Sequence, residues 1–230
     1  MSLFPMFVKL EGRMVVVVGG GVIAEGKIPG LLAAEARIRL IAPSITPSIA
    51  EWVRQRKVDW LPKEFEACDL DGAFLIIAAT SAPGVNGAVF REAESHGILC
   101  NAVDDIDHCH FYYGAVVQRG DLQIAISTNG KSPALAQRVR KELEKQYDED
   151  YAVWLEWLGA TRELLRAGVG GTEENKALLH HLVDPQRFVV MRLIKAAILD
   201  RLLHAIDDRA LRNGVTLCGV ILNEVVVGLC

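Results

Sequence analysis

The sequence lacks paired cysteines, a long apolar run and an excess of basic residues. Each of these absences argues against a particular class of protein. The five cysteines are widely scattered: Cys68, Cys100, Cys109, Cys218 and Cys230. They include no CxxC pair, which argues against a disulfide scaffold or a zinc ribbon. No run of about 18 apolar residues occurs, so no membrane span is expected. Met1–Arg13 lacks the regions of a signal peptide. We therefore expect a reduced, cytoplasmic protein.

The charge balance lowers the expectation of a polyanionic partner. The 230 residues carry 25 Lys and Arg against 29 Asp and Glu, a formal net charge of −4. Such a chain has no electrostatic reason to bind nucleic acid or an anionic membrane. Hydrophobic residues make up 51% and charged residues 23%, which is typical of globular proteins. The length allows one large domain or two small ones.

The N-terminal half alternates apolar runs with helical patterns. Apolar runs predict strands at Met14–Val18, Ile38–Ala42, Val58–Leu61, Ala73–Ala79 and Ile98–Val103. Helical patterns lie between them at Val22–Ala34, Ile49–Arg56 and Val85–Ser95. A run such as Met14–Val18, without alternation, is typical of a strand buried on both faces of a parallel sheet. The pattern predicts an α/β fold with a doubly wound parallel sheet of the Rossmann type over residues 1–113.

The remaining sequence predicts a different organisation. Gly114–Gln118 and Leu122–Ser127 read as a hairpin around a three-residue turn at 119–121, followed by a helix that begins near Pro133. This hairpin and helix occupy 114–147. Residues 148–213 show helical periodicity and predict a small domain of three or four helices. The apolar, strand-like tail at 214–230 has no physical explanation.

A glycine motif joins the first predicted strand to the first helix. In Gly19-x-Gly21-x-x-Ala24, the first glycine permits a tight turn and the second lets a diphosphate approach the backbone. Ala24 permits close packing of helix and strand. The alternative is a glycine turn that binds nothing. Ala42–Ser44 follows the second strand and provides neither an acid for the ribose nor an arginine for a 2′-phosphate, so NAD is only weakly favoured over NADP.

Polar residues follow two later strands, at Ala78–Ser81 and Asn101–Asp105. Ligands of open α/β sheets bind at the carboxyl ends of the strands, so both segments should border a nicotinamide. The adjacent carboxylates of Asp104 and Asp105 could serve in proton transfer or could begin a solvated turn. Spacing alone leaves both interpretations open.

Two further segments carry candidate chemistry. His108-Cys109-His110 lacks a third ligand at fixed spacing, so no permanent metal is predicted. The loop Ser127–Pro133 could hold an anion at a helix N-terminus or could simply cap that helix.

Four stretches in order resemble one known family. They are Phe4–Ile28, Asp69–Asn86, Gly97–Asp105 and Phe111–Glu144. Together they resemble the precorrin-2 dehydrogenase / sirohydrochlorin ferrochelatase family, of the sirohaem synthase N-terminal type. The resemblance is close over residues 4–147. It implies a homodimer, built through the hairpin and the following helix, that oxidises precorrin-2 to sirohydrochlorin with NAD. Some members also insert ferrous iron, as a substrate, to give sirohaem.

The resemblance also implies roles for individual residues. Asp104 aligns with the catalytic aspartate. The implied NAD contacts, with the glycine loop and the strand ends, are Gly19, Gly21, Val22, Ile23, Pro43, Ser44, Thr80, Asn101 and Val103. Candidate contacts to the tetrapyrrole substrate are Arg119, Thr128, Lys131 and Arg138. Transient handling of iron is placed at Asp104, His108 and His110. The chain departs from the family pattern at Gly26, His110 and Thr128.

Two alternatives remain open at this stage. The protein could be a dehydrogenase without chelatase activity. It could also be an NAD(H)-sensing regulatory module, as found on potassium-transport gating subunits. Such modules usually carry an acidic residue after the second strand, where this chain has Ala42–Ser44.

Overall fold

The structure, a computed structural model, describes residues 3–82, 84–103, 105–168 and 172–198. Five strands form one sheet in the order β3-β2-β1-β4-β5. These strands are β1 (Met14–Val18), β2 (Arg37–Ile41), β3 (Val58–Leu61), β4 (Leu75–Ala78) and β5 (Leu99–Ala102). Each neighbouring pair is parallel. The predicted α/β fold of the Rossmann type is confirmed.

Helices cover both faces of this sheet, and β1 supplies both cores. The helices are α1 (Val22–Ala33), α2 (Pro47–Arg54) and α3 (Val85–Ser95). Val15 and Val17 pack in a core with residues of α1 and α2, whereas Val16 and Val18 pack with residues of α3. Alternate side chains of one β-branched strand are therefore buried on opposite faces, as expected for a central parallel strand.

The start of α2 differs from the prediction by two residues. The helix spans Pro47–Arg54 rather than Ile49–Arg56. Thr46 caps it, with its hydroxyl accepting a hydrogen bond from the Ile49 backbone N–H at 3.3 Å. Proline is favoured in the first turn of a helix because its missing N–H would have no partner there. Arg56 has φ +57, which is outside the helical region.

The hairpin turn is shorter than the sequence predicted. Strands β6 (Ala115–Arg119) and β7 (Leu122–Ile126) leave only Gly120 and Asp121 between them. The predicted three-residue turn is wrong, because Arg119 is the last residue of β6. Gly120 has φ +54, and an added Cβ would lie 3.1 Å from the Cβ of Ala152. A tight two-residue loop needs such a residue.

After the hairpin, the described part of the chain is mostly helical. The helices there are α4 (Pro133–Gln146), α5 (Asp150–Ala167), α6 (Thr172–Leu182) and α7 (185–198). In the described ranges, no helix is both long and apolar enough to cross a membrane.

The chain divides into two compact units. One contains the residues up to Ala115 together with Ser127–Ala136, and the other contains Val116–Ile126 and the residues from Gln137 onward. The predicted boundaries at 113/114, 147/148 and 213/214 stay predictions. The candidate catalytic residue Asp104 and the apolar tail 214–230 lie outside the described residues.

The second unit has an aromatic core beside an ion-pair network. Tyr151, Trp154 and Phe188 pack with ring centroids 4.4–5.7 Å apart. The carboxylate of Asp150 lies 2.5 Å from Lys195 Nζ and 2.9 Å from Arg192 Nε. The hydrogen bond from Lys195 is the main cause that lowers the pKa of Asp150. Two cations of α7 are thereby joined to the first turn of α5.

We expect Asp150→Asn to lower the unfolding temperature at pH 7 by about 2–4 °C, for a loss of about 1 kcal/mol. Because the folded-state pKa is lowered, this stabilisation is present above the usual Asp pKa of about 3.9 and is lost as the pH falls through the folded-state value. Thermal denaturation at pH 7 and pH 3 measures both effects. The exposed Glu156→Gln on α5 is the control. An equal loss for Asp150→Asn at both pH values would contradict the assignment.

Candidate cofactor site

The turn after β1 is glycine-rich because neighbouring backbone leaves no room for side chains. Gly19 has φ +117, and a Cβ there would lie 2.4 Å from the carbonyl oxygen of Ala79. A Cβ on Gly20 would lie 2.1 Å from the carbonyl oxygen of Ser44. The turn is therefore enclosed by the segments that follow β2 and β4. Gly20 occupies a variable position of the glycine motif, so spacing did not identify it.

Gly21 differs, because open space faces its α-carbon. An added Cβ would meet no heavy atom of the described residues within 4 Å, and its φ of −85 suits any residue. Gly21 is also the N-cap of α1, and no side chain in the described part of the protein caps that helix start. The first-turn N–H groups and the positive end of the helix dipole are thus available to an anion such as a diphosphate.

A cavity of about 720 Å³ opens in front of this helix start. Its volume lies within the usual range for ligand pockets, about 300–1,000 Å³. Seven of the nine predicted cofactor contacts line it: Gly19, Gly21, Val22, Ile23, Pro43, Ser44 and Thr80. The side chains of Val22 and Ile23 are exposed, at 78% and 47%. The fold thus gathers residues from three loops around one cavity.

The loop between β4 and α3 is held by a side chain that sequence reasoning missed. Asn86 Oδ1 accepts a hydrogen bond from the Thr80 backbone N–H at 3.2 Å, and Asn86 Nδ2 donates to the Thr80 carbonyl at 3.0 Å. The Thr80 hydroxyl accepts from the Ala82 N–H at 3.0 Å. These bonds fix the cavity wall at Thr80. Asn86 could have been identified from the sequence as a polar residue in the first turn of a helix that follows a buried strand.

A fourth loop, the one after β3, also lines the cavity, although the sequence did not predict that it takes part. Lys63, Glu64 and Phe65 line the cavity beside the loop after β2. No glycine or motif marks this segment in the sequence. Only the pairing of β2 with β3 places it there.

The remaining two predicted cofactor contacts do not line the cavity. Asn101 is 6% exposed, and its Nδ2 donates to the Phe111 carbonyl at 2.8 Å and to Cys109 Sγ at 3.3 Å. This amide therefore holds the loop after β5 instead of facing the cavity. Val103 packs against the core cluster that contains Val15 and Val17.

The two candidate iron-handling histidines pack on one aromatic ring. Phe90 of α3 lies with its ring centroid 5.1 Å from that of His108 and 4.7 Å from that of His110. His108 Nδ1 lies 2.6 Å from Asp105 Oδ2, and His110 Nδ1 accepts a hydrogen bond from the Cys100 N–H at 3.0 Å. Both imidazoles are thus oriented by the protein itself.

The thiols of Cys109 and Cys100, near this loop, are in surroundings that favour packing in the fold over reactivity. Cys109 Sγ lies 3.1 Å from the carbonyl oxygens of Ala102 and Asp105, and burial raises its pKa. Burial also raises the pKa of Cys100 to about 12, so this thiol is protonated at neutral pH. Among the described residues, no group of three or more His, Cys, Asp or Glu side chains is arranged to hold a metal ion.

The four candidate substrate contacts have different surroundings. In the first unit, the Thr128 hydroxyl accepts from the Ser132 N–H at 3.2 Å, and Lys131 is exposed. Ser132 caps α4 by accepting from the Leu135 N–H. In the second unit, Arg138 Nε donates to Glu142 at 2.8 Å.

Arg119 is largely buried and donates more hydrogen bonds than the other three candidate contacts. Its side chain is 14% exposed, and it donates to the carbonyls of Tyr147 at 2.8 Å, Glu144 at 3.2 Å and Gln118 at 2.8 Å. These bonds join the hairpin to the end of α4 within the second unit. The guanidinium is therefore occupied by the protein's own backbone.

The parallel sheet, the glycine turn and the cavity at the helix start define a dinucleotide-binding protein of the Rossmann type. Comparison with known families agrees. Residues 6–115 match a family model for NAD(P)-binding domains, and residues 119–146 match the model described as "Sirohaem biosynthesis protein central". The first unit therefore binds a nicotinamide cofactor.

Similar proteins place the chain more narrowly. The solved structure of SirC, a precorrin-2 dehydrogenase, is 31% identical with a TM-score of 0.72, over 81% of this chain and 92% of SirC. The siroheme synthase 1 of Serratia proteamaculans is 37% identical over 73% of this chain, and that of Aeromonas salmonicida is 33% identical over 81%. The chain belongs to the precorrin-2 dehydrogenase family of sirohaem biosynthesis, which confirms the resemblance found in the sequence.

The curated relatives are longer than this chain. The matches cover 36% of the Serratia protein and 40% of the Aeromonas protein. The chain thus spans about two fifths of the length of the siroheme synthases it matches.

The glycines allow a matched test of the site. We expect Gly21→Ala to fold normally and to weaken NAD⁺ binding at least about tenfold, about 1.4 kcal/mol, because the new methyl group enters the open space in front of α1. Gly20→Ala should instead lower the free energy of unfolding by about 1–3 kcal/mol, because its Cβ collides with backbone. Calorimetric titration and chemical denaturation separate the two effects. Unaltered affinity in Gly21→Ala would place the diphosphate elsewhere.

Proposed function

We propose that this protein oxidises precorrin-2 to sirohydrochlorin with NAD⁺ as the hydride acceptor. The main observation behind the proposal is the glycine turn, which leaves the start of α1 uncovered at the 720 Å³ cavity. The chain is also 31% identical to SirC over 92% of that protein. A sensing module would need the same nucleotide cavity but not the family's second matched segment at 119–146.

The residues present fit a dinucleotide. The missing side chain of Gly21 leaves the space that a diphosphate needs, and the first-turn N–H groups of α1 would bind its oxygens. Pro43 and Ser44 would lie beside the adenosine ribose, while Thr80 would lie toward the nicotinamide. Neither Pro43 nor Ser44 provides a cation for a 2′-phosphate, which favours NAD over NADP.

The chemistry requires a hydride acceptor and a base. When bound, NAD⁺ accepts the hydride from a carbon of precorrin-2. The substrate also loses a proton, and Asp104 is the proposed acceptor of that proton. The hydrogen bonds of Asn101 and Cys109 would keep the described residues on either side of Asp104 in the sequence in place during the transfer.

The substrate is rich in carboxylates, so its binding calls for cations. Lys131 is exposed in the first unit, and Arg138 is exposed in the second with a single carboxylate partner at 2.8 Å. We propose both as contacts for substrate carboxylates. Thr128 would support Lys131 by closing the turn that carries it. Arg119 is the weaker candidate, because backbone carbonyls occupy its donors.

We further propose a homodimer and a second activity, the insertion of ferrous iron into sirohydrochlorin. The exposed apolar side chains of Val116 on β6 and Leu135 on α4 support the dimer. The carboxylate–imidazole pair of Asp105 and His108 supports iron handling, since both groups accept pyrrole protons or bind ferrous iron readily.

We expect Asp104→Asn to lower the turnover of precorrin-2 by about 10²–10⁴-fold, because the base is lost. Its affinity for NAD⁺ should stay the same. Absorbance during incubation with precorrin-2 and NAD⁺ measures the turnover. Asp107→Asn, an exposed neighbour in the same loop, is the control. Equal turnover in the two variants would remove Asp104 from the mechanism.

The second activity is measured separately, with sirohydrochlorin and ferrous iron but without NAD⁺. Formation of sirohaem would establish the chelatase, and its absence alongside precorrin-2 oxidation would leave a dehydrogenase only. Nucleotide binding without turnover of either tetrapyrrole would favour the sensing module.

A further inference from the structure

The loop after β3 brings charged side chains to the cofactor cavity. We call residues 62–66 the β3 loop, and its Lys63, Glu64 and Phe65 line the cavity. Strands β2 and β3 pair in register, with Ile41 opposite Leu61. Their continuations stay together, because the Ala42 N–H donates to the Leu61 carbonyl at 3.2 Å. The β3 loop therefore borders the segment that follows β2.

This position matters for recognition of the adenosine ribose. In dinucleotide-binding folds, an acid after the second strand binds the ribose hydroxyls of NAD, and an arginine there binds the 2′-phosphate of NADP. The segment 42–44 offers neither. Among the described residues that line the cavity, Lys63 is the one basic side chain. A 2′-phosphate would therefore depend on the Lys63 ammonium.

That ammonium is already engaged by two carboxylates. Lys63 Nζ lies 2.6 Å from Glu66 Oε2 and 2.9 Å from Asp69 Oδ1. The hydrogen bond that Lys63 donates to Glu66, and then the one that it donates to Asp69, raise the pKa of Lys63 above its usual range. The ammonium thus stays charged at neutral pH, and its charge is balanced locally.

Asp69 holds Lys63 in place because its own carboxylate is buried. It is 6% exposed, and Oδ2 accepts a hydrogen bond from the Glu66 backbone N–H at 2.8 Å. Moving Lys63 toward a phosphate would leave this carboxylate buried without its counter-ion, which is costly. The ammonium thus lies between two carboxylates, and Glu64 adds a further acidic residue to the cavity wall.

We propose that Glu66 and Asp69, by holding and neutralising Lys63, select NAD against NADP. The inference rests on the proposed binding of a nicotinamide cofactor in this cavity. A ribose hydroxyl enters without needing the ammonium. A 2′-phosphate meets a wall whose cation is neutralised and whose remaining charge is negative, and it is repelled.

The test is the ratio of the dissociation constants of NADP⁺ and NAD⁺, measured by calorimetric titration of the full chain. We expect Glu66→Gln to lower this ratio about three- to tenfold, because a carboxylate is removed and the ammonium gains freedom. Lys63→Gln should raise the ratio. Both changes should shrink at 1 M salt, where the screening length falls to about 3 Å.

Glu51→Gln is the matched control, a partly exposed carboxylate on α2 that pairs with Arg54 and does not line the cavity. Its ratio should equal that of the unaltered protein. If Glu66→Gln gives the same ratio as Glu51→Gln while NAD⁺ still binds, the selecting role of the carboxylates that hold Lys63 is refuted. If the unaltered protein binds neither nucleotide, the proposed function itself fails.

Discussion

The close approach of the β1 turn to the backbone after β4 is the constraint on which the site depends. Gly19 lies so near the Ala79 carbonyl that no Cβ fits, and Gly20 is enclosed in the same way by the segment after β2. Only the third glycine of the run faces open space. The turn therefore lies against the segments that follow β2 and β4 as well as at the end of β1. Its path sets the direction in which α1 starts. The cavity exists because this packing leaves the helix start uncovered.

The cofactor site obtains its polarity mostly from backbone. The N–H groups of the first turn of α1 face the cavity. The side chain of Asn86 hydrogen-bonds to the backbone of Thr80 and is therefore not available to a ligand. Among the described residues that line the cavity, charged side chains come only from the β3 loop, where Lys63 is balanced by acids. A site built in this way suits a ligand that brings its own diphosphate charge and otherwise offers neutral hydrogen-bonding groups.

The sequence predicted those features that depend on local pattern. The buried run at β1 and the spacing of Gly19 and Gly21 identified the sheet and the helix start, because burial on two faces and backbone approach each demand particular residues. Gly20 and Lys63 were missed, since their roles come from segments distant in the sequence. The hairpin turn was misjudged by one residue, because Arg119 has strand geometry that composition does not reveal. Asn101 stays a predicted neighbour of the nicotinamide, and the hydrogen bond from its buried amide to the Phe111 carbonyl was not indicated by the sequence, since it depends on the path of the loop after β5.

Arg119 shows how a basic residue in the right segment can serve the fold instead of the ligand. It stands at one end of the matched segment 119–146, and its guanidinium donates to carbonyls of Glu144 and Tyr147 at the end of α4. A helix C-terminus carries unpaired carbonyls and a partial negative charge, which a guanidinium satisfies well. A substrate carboxylate could recruit Arg119 only by releasing those carbonyls while the side chain remains largely buried. If the proposed substrate binds this segment, we expect its carboxylates to pair with exposed cations whose donors are not already bonded to backbone carbonyls.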